Sequence, residues 1–269
     1  MADAGSMMSE SEFREKLAKM ETLLKDVERH VGTIFTGGNR AAAILPGGLG
    51  DGVHDLLVKL RDLVSKFFEE TAKLLLNPGW PFGLLDAAGS WTDTVGGPIS
   101  ELSAKVSPDQ LRIDNYWTGP AADAYASVLP AQQKALEAIK TATDSIDTQL
   151  TTLAIGIFAL WGAVILAVVQ YVAQLAAEAA AAATVVGAPE GAAAAGVSTA
   201  ATISLVAAAT TAFIAYVGVV VTTMRSINQT LQAGAGFPDG NWPKATTSDF
   251  SDGSLSDGDT TDWRIKTHD

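Results

Sequence analysis

The chain has 269 residues, with 18 Lys and Arg against 30 Asp and Glu, and a formal net charge of −12. This acidic balance argues against nucleic-acid binding, which rests on basic patches that neutralise phosphates. The absence of cysteine excludes disulfides, thiolate metal sites and cysteine nucleophiles. Hydrophobic residues reach 48% while charged residues are only 18%, below the ~25% usual in soluble domains. We therefore expect one part of the chain to be unusually apolar.

Two heptad patterns predict a pair of helices in residues 1–80. Apolar side chains recur at alternating spacings of four and three, which is the seam of a coiled coil. Ser9 or Ser11 is the expected N-cap, Gly37-Gly38 is expected to end the first helix, and Asn77-Pro78-Gly79 the second. A short loop between them favours an antiparallel pair. The two seams are Phe13, Leu17, Met20, Leu24, Val27, Val31 and Ile34, then Val53, Leu57, Leu60, Val64, Phe67, Thr71 and Leu74.

Residues 81–150 continue with helical spacing. Gly96-Gly97-Pro98 is expected to break or kink the first of these helices. A further helix begins at Trp117-Thr118-Gly119-Pro120, contains Pro130, and merges without a stop into the apolar segment that follows. No strand with a period of two appears. The predicted fold class is all-α, an elongated helical bundle built from helical hairpins.

The turn at Trp117-Thr118-Gly119-Pro120 has the composition of a helix start. Proline suits the first helical position because its missing N–H would be unpaired there anyway. Thr118 or Gly119 can cap the helix, and Asp123 falls in the first turn, near the positive end of the helix dipole. The sequence therefore predicts a reversal between two helices here, with Trp117 covering the turn.

The run from Trp117 to Tyr125 resembles the Trp-x-Gly turn of the WXG family, the helical-hairpin substrates of type VII (ESX) secretion. The match consists of Trp117, Gly119, Ala121, Ala122 and Tyr125, and it extends over about a quarter of the chain, from Phe82 to Leu150. The resemblance implies a helix–turn–helix over 81–150 that contacts a small WXG-type helical partner, or a second copy. The residues it marks for the turn and the partner contact are Trp117, Gly119, Tyr125, Leu129 and Leu136.

The chain departs from the family pattern in two ways. Export signals of the form Tyr-x-x-x-Asp/Glu are absent, because none of the four tyrosines has an acid four residues later. The arm before the tryptophan is interrupted by Gly96-Gly97-Pro98. In layout the chain looks like larger ESX-associated proteins of the EspA-like kind, with an apolar stretch after the Trp-x-Gly helix. With no Sec-type signal at the N-terminus, we expect a secreted or cell-envelope-associated protein that uses a non-Sec route.

Residues 151–232 form the unusually apolar part and predict an Ala-rich helical hairpin. Leu153 to Ala177 carries no charge and is long enough to cross ~30 Å of hydrocarbon. Ile203 to Val221 is the second apolar segment, and Gly187-Ala188-Pro189-Glu190-Gly191 is the expected turn. Two interpretations remain open: a membrane-inserting hairpin, or the dry centre of a soluble bundle covered by the first two helices. The candidate membrane residues are Trp161, Ile165, Val169, Phe213 and Val217.

Residues 233–269 are rich in Gly, Ser, Thr and Asp. Such a composition buries too little apolar surface to offset the entropy of ordering the chain. An acidic, disordered C-terminal tail is the prediction.

The sequence carries no pattern for catalysis. There is no phosphate-binding glycine loop, no H-E-x-x-H and no His cluster with ligand spacing. The acid pairs Glu69-Glu70 and Asp144 with Asp147 fall on charged helix faces. We therefore expect a non-enzymatic protein with no cofactor, no metal and no small-molecule substrate.

Three functional classes stay open. The first is a type VII secretion-associated protein that acts by helix–helix association and contacts a membrane. The second is a membrane-inserting effector or pore component that uses the hairpin at 153–222. The third is a structural or chaperone-like bundle without a membrane role.

Overall fold

The computed structural model describes residues 8–106, 108–111, 117–232 and 236–245, and the backbone of 264–265. Within these ranges, only the backbone of 108, 109, 117, 118, 120 and 121 is described. The fold is all-α, as predicted. The chain divides into two compact units, Met1–Phe82 with Ala154–Val217, and Gly83–Leu153 with Gly218–Asp269. The units thus combine segments that lie far apart in the sequence.

The first unit begins with helices α1 (Glu10–Ile44) and α2 (Gly48–Leu76). Ser9 caps α1, because its hydroxyl accepts from the Glu12 N–H while its own N–H donates to the Glu12 carboxylate. That backbone hydrogen bond lowers the pKa of Glu12. The predicted seams are the buried faces of both helices, although Leu23 is buried in α1 where the heptad places Leu24. Helix α2 ends at Leu76, before the predicted Asn77-Pro78-Gly79 stop.

The prediction that Gly37-Gly38 ends the first helix is wrong, since α1 continues to Ile44. Both glycines lie at close contacts. A Cβ on Gly37 would overlap the backbone carbonyl of Ala182, and a Cβ on Gly38 would lie 2.9 Å from a methyl of Leu57. Tight packing at these positions compensates the ~1 kcal/mol by which glycine disfavours a helix relative to alanine.

Two long helices follow the turn at 117–119, α6 (Pro120–Ala182) and α7 (Ala188–Gln232). Residues Ala154–Ala182 of α6 and Ala188–Val217 of α7 belong to the first unit and run antiparallel. Tyr171 contacts Thr199, and the ring of Tyr216 packs on Gly156. The predicted turn over 187–191 lies earlier in the chain, at 183–187. Pro189 is tolerated in the first turn of α7, where its missing N–H has no intrahelical partner.

An aromatic cluster packs the hairpin against the N-terminal helices. Phe13 of α1 meets Phe158 of α6 edge to face, with ring centroids 5.7 Å apart, and Phe82 contacts both rings. Farther along the hairpin, Phe67 of α2 meets Tyr171 at 5.1 Å. Edge-to-face pairs of this kind add ~0.5–1.5 kcal/mol each to the burial of the rings.

The second unit contains α3 (Pro81–Trp91) from Gly83 onward, a π-helical segment (Thr92–Gly96), α4 (Gly97–Lys105) and the single turn α5 (Pro108–Leu111). The sequence predicts a break or a kink at Gly96-Gly97-Pro98, and the helix does not end there. The chain instead widens into a π-helical turn, a common way to absorb an irregularity within a helix. Pro98 then stands in the first turn of α4, where it needs no partner.

Within the second unit, the α3–α4 arm runs antiparallel to α6. Thr92 donates to the Asp147 carboxylate at 2.5 Å, and Gly96 packs against the Thr143 methyl. In each contact, the two partner residues lie equally far along the chain from the turn at Gly119-Pro120. The arm and α6 therefore lie antiparallel on the two sides of this turn.

Two stretches of the predicted disordered tail are ordered in the structure. Pro238–Gly240 forms a 3-10 turn, and Arg264–Ile265 (β2) pairs antiparallel with Trp117–Thr118 (β1). The first stretch is ordered because Pro243 is buried and its carbonyl accepts from the Gln132 side chain. Residues 233–235, 246–263 and 266–269 lie outside the described residues.

Candidate interaction surfaces

The Trp-Thr-Gly turn is built as an entry to α6. Gly119 has φ +111°, a conformation that favours glycine, and its carbonyl accepts the first helical hydrogen bond from the Asp123 N–H at 3.1 Å. Pro120 is the first helical residue and Asp123 lies in the first turn, as predicted. Trp117 is in extended backbone, paired through β1 with the C-terminal β2. The side chain of Trp117, predicted to cover the turn, lies outside the described residues.

The predicted partner-contact residues on α6 face inward. Leu129 is fully buried, Leu136 is buried, and Tyr125 is half-buried. These side chains serve the packing of the second unit, so a partner would have to open this unit to reach them.

The predicted membrane residues of the hairpin divide between the core and the surface. Trp161 is buried, and its indole N–H donates to the Pro78 carbonyl at 2.8 Å. Val169 is exposed, whereas Ile165, Phe213 and Val217 are half-buried. Trp161 therefore anchors the hairpin to the linker between α2 and α3.

The exposed apolar residues of the hairpin form a surface of which the sequence analysis named only Val169. We call it the outer face: Ile155, Leu166 and Val169 of α6, and Leu205 and Ala212 of α7. Leu166 is 58% exposed and Leu205 is 53% exposed. On α6 these positions follow helical spacing, eleven and three residues apart. Their exposure, rather than their hydrophobicity, identifies them, and exposure depends on which helices pack nearby.

The outer face contains a shallow apolar groove between the two helices. Its volume is about 300 Å³, and no charged side chain lines it. Five of its nine lining residues are glycine or alanine, so the backbones of both helices lie close to the base of the groove. The lining consists of Ile155, Gly156, Ala159, Leu160, Ala163, Ala209, Ala212, Phe213 and Tyr216.

Both apolar helices have the length and composition to cross a membrane. Core helices of soluble proteins meet the same criteria. In the most apolar 18-residue stretch of α6, one third is buried. In the corresponding stretch of α7, only 17% is buried. The interpretation of the hairpin as a fully covered dry centre therefore fits α6 better than α7.

Polar side chains join the two hairpin helices near their tip. The hydroxyls of Tyr171 and Thr199 are 2.7 Å apart in the core, and Ser198 donates to the Glu178 carboxylate at 3.0 Å. Glu178 lies one residue beyond the first apolar segment. Partial burial raises the pKa of its carboxyl, and the hydrogen bond from Ser198 opposes that rise.

The acid pairs stand on helix surfaces. Glu69 and Glu70 both bind Lys73, and Asp144 binds Lys140. Asp147 differs from the prediction, because it accepts from Thr92 and so joins two helices of the second unit. Among the described residues, no three histidine or acidic side chains converge as metal ligands would.

Comparisons with protein-family models, with curated proteins and with solved structures gave no match.

Proposed function

We propose that this is a non-enzymatic protein associated with type VII secretion, which acts by helix–helix association through the outer face of its hairpin. The single observation that carries the association is the exposure of this uncharged, apolar surface. Exposed apolar patches on soluble proteins mark sites that bind another protein or a membrane.

The type VII assignment rests on the resemblance of the segment from Trp117 to Tyr125 to the Trp-x-Gly turn of the WXG family. The antiparallel arms on either side of Gly119 support it, because a Trp-x-Gly turn between two such arms is the family's layout. The chain would leave the cell by a non-Sec route, together with a small helical partner that carries the missing export signal.

The association is tested by sedimentation velocity on the full chain without detergent. We expect small, discrete oligomers in the wild type that dissociate in the double variant Leu166→Asp, Leu205→Asp. Leu76→Asp is the control, since Leu76 is the same residue type and is even more exposed but lies at the end of α2. Equal sedimentation of wild type and double variant would contradict the association.

The secretion assignment has its own test. The full chain, expressed in a host with a type VII apparatus and in the same host without it, should reach the medium only in the first. Trp117→Ala and Gly119→Val should abolish that export, while Trp242→Ala, outside the motif, should leave it unchanged. Export that does not depend on the apparatus would refute this assignment.

A second candidate function is membrane insertion, favoured by the length of the uncharged stretches. No charge occurs from Thr148 to Ala177 or from Gly191 to Met224, and each exceeds the ~20 residues that span a bilayer. Flotation with phosphatidylcholine vesicles, and leakage of a dye from them, would support insertion. Wild-type protein that neither floats nor releases dye would exclude it.

A further inference from the structure

Residues 236–245, here called the strap, form a compact loop that follows α7. Gly236 (φ +89°), Asp239 (φ +52°) and Gly240 (φ +74°) adopt left-handed conformations. The Gly240 N–H donates to the Phe237 carbonyl at 3.0 Å, and the Phe237 and Trp242 rings contact each other across the loop. The strap therefore has a defined shape of its own.

The strap is seated on α6 through its two ends. A Cβ on Gly236 would lie 2.5 Å from the Ala135 Cα, so only glycine fits there. At the other end, Gln132 Nε2 donates to the Pro243 carbonyl at 3.0 Å, and Pro243 is buried. Between these anchors, Trp242 remains 39% exposed and Asp239 is exposed. The seat thus contacts a glycine and a backbone carbonyl of the strap.

The strap also closes one end of a groove between α6 and α7 in the second unit. This groove has a volume of about 590 Å³ and extends from Gly236 along Ala138, Ala142, Ile227 and Leu231. The covered seat over Gln132 and Ala135 continues the same side of α6. Removing the strap would therefore lengthen this groove, whose lining also includes Lys134, Glu137 and several serines and threonines.

We propose that the seat over Gln132 and Ala135 is an exchangeable binding site whose ligand is the strap, supplied either by the same chain or by a second copy. An element that exchanges between identical chains makes the same contacts in both states, so the exchange costs little free energy. The seat fits this ligand because a glycine with left-handed backbone and a carbonyl must meet Ala135 and Gln132 together. The proposal rests on the proposed function in that it specifies one route of self-association.

The test uses a labelled peptide with the sequence of residues 236–245 and the full chain in three forms. Gly236→Ala cannot seat its own strap. Gly240→Ala is the matched control, since its φ is also left-handed but a Cβ there meets nothing within 4 Å. By fluorescence anisotropy, we expect the Gly236→Ala chain to bind the peptide at least tenfold more tightly than wild type or Gly240→Ala.

Three results would overturn the proposal: equal peptide binding by all three chains, equal binding of a peptide carrying Gly236→Ala, or undiminished binding after Gln132→Ala is added to the Gly236→Ala chain. If circular dichroism shows that Gly236→Ala disturbs folding, a second experiment takes the place of the peptide-binding test. It measures chymotryptic cleavage at Phe237 in the Gln132→Ala chain. That cleavage should be faster than in wild type, and an unchanged rate would contradict the proposal.

The outcome is separable from that of the outer face. Strap exchange is abolished by Gly236→Ala and unaffected by Leu166→Asp with Leu205→Asp, whereas association through the outer face shows the opposite response.

Discussion

Gly32 and Gly37 of α1 differ in what a methyl group would meet. A Cβ on Gly32 has nothing within 4 Å, whereas one on Gly37 would overlap the Ala182 carbonyl. We expect Gly32→Ala to stabilise the protein by up to ~1 kcal/mol through helix propensity. Gly37→Ala should lower the melting temperature, because α1 must move away from α6. Thermal unfolding followed by circular dichroism checks both, and equal shifts would contradict the close approach.

Thr71 of α2 is fully buried, and its hydroxyl has no hydrogen-bond partner. An unpaired buried polar group costs ~1–3 kcal/mol. Thr71→Val keeps the shape and removes that cost, so we expect a higher melting temperature. The control is Thr202→Val in α7, where a buried hydroxyl donates to the Ser198 carbonyl. That variant should be neutral or less stable than wild type, and stabilisation of both would show that hydrophobicity alone is responsible.

Glu178 gives stability a specific dependence on pH. Its pKa is raised in the folded protein, so the folded state binds the proton more tightly than the unfolded chain. Ionisation therefore destabilises the fold as pH rises above the ordinary value of 4.5. We expect Glu178→Gln to raise the melting temperature at pH 7 and to have little effect at pH 4. An effect of equal size at both pH values would contradict this cause.

At the scale of the element, α6 shows how closely exposure alternates along one helix. Val168 is fully buried and its neighbour Val169 is 36% exposed. Val168→Ala should cost ~2 kcal/mol of unfolding free energy, and Val169→Ala less than ~0.5 kcal/mol. Urea denaturation of the two variants checks this. Equal losses of unfolding free energy would mean that α6 is rotated about its axis, so that both side chains are equally buried.

Most helices could be predicted from the sequence because their signals are local. The seam from Phe13 to Ile34, the stop at Asn77 and the start at Pro120 each depend on residues within a few positions. A clear failure occurs at Gly37-Gly38, which looks like a helix end, but the distant Ala182 packs against Gly37 and the helix continues. At Gly96, where a break or a kink was predicted, the helix continues through a π-helical turn against which Thr143 packs.

At the scale of the whole molecule, the sequence left open whether the hairpin packs on the first two helices, and it did not predict that Gly218–Asp269 groups with Gly83–Leu153. The four predicted segments, 1–80, 81–150, 151–232 and 233–269, are grouped into two units, each with pieces from distant parts of the chain. The seating of the strap on Ala135 has no local signal, because it depends on a glycine that looks like part of a flexible tail. Apart from Val169, the outer face was equally hidden, because buried and exposed apolar residues of the hairpin look alike in the sequence and only packing distinguishes them.

The central claim is that the molecule works by contact through the outer face of its hairpin. Sedimentation velocity over a range of concentrations, on wild type and on the variant with Leu166→Asp and Leu205→Asp, tests it most directly. We predict concentration-dependent oligomers for the wild type. The variant should lose the association through the outer face and retain at most the dimers that strap exchange allows, with unchanged helix content. Monomers in both proteins at every concentration would contradict the claim.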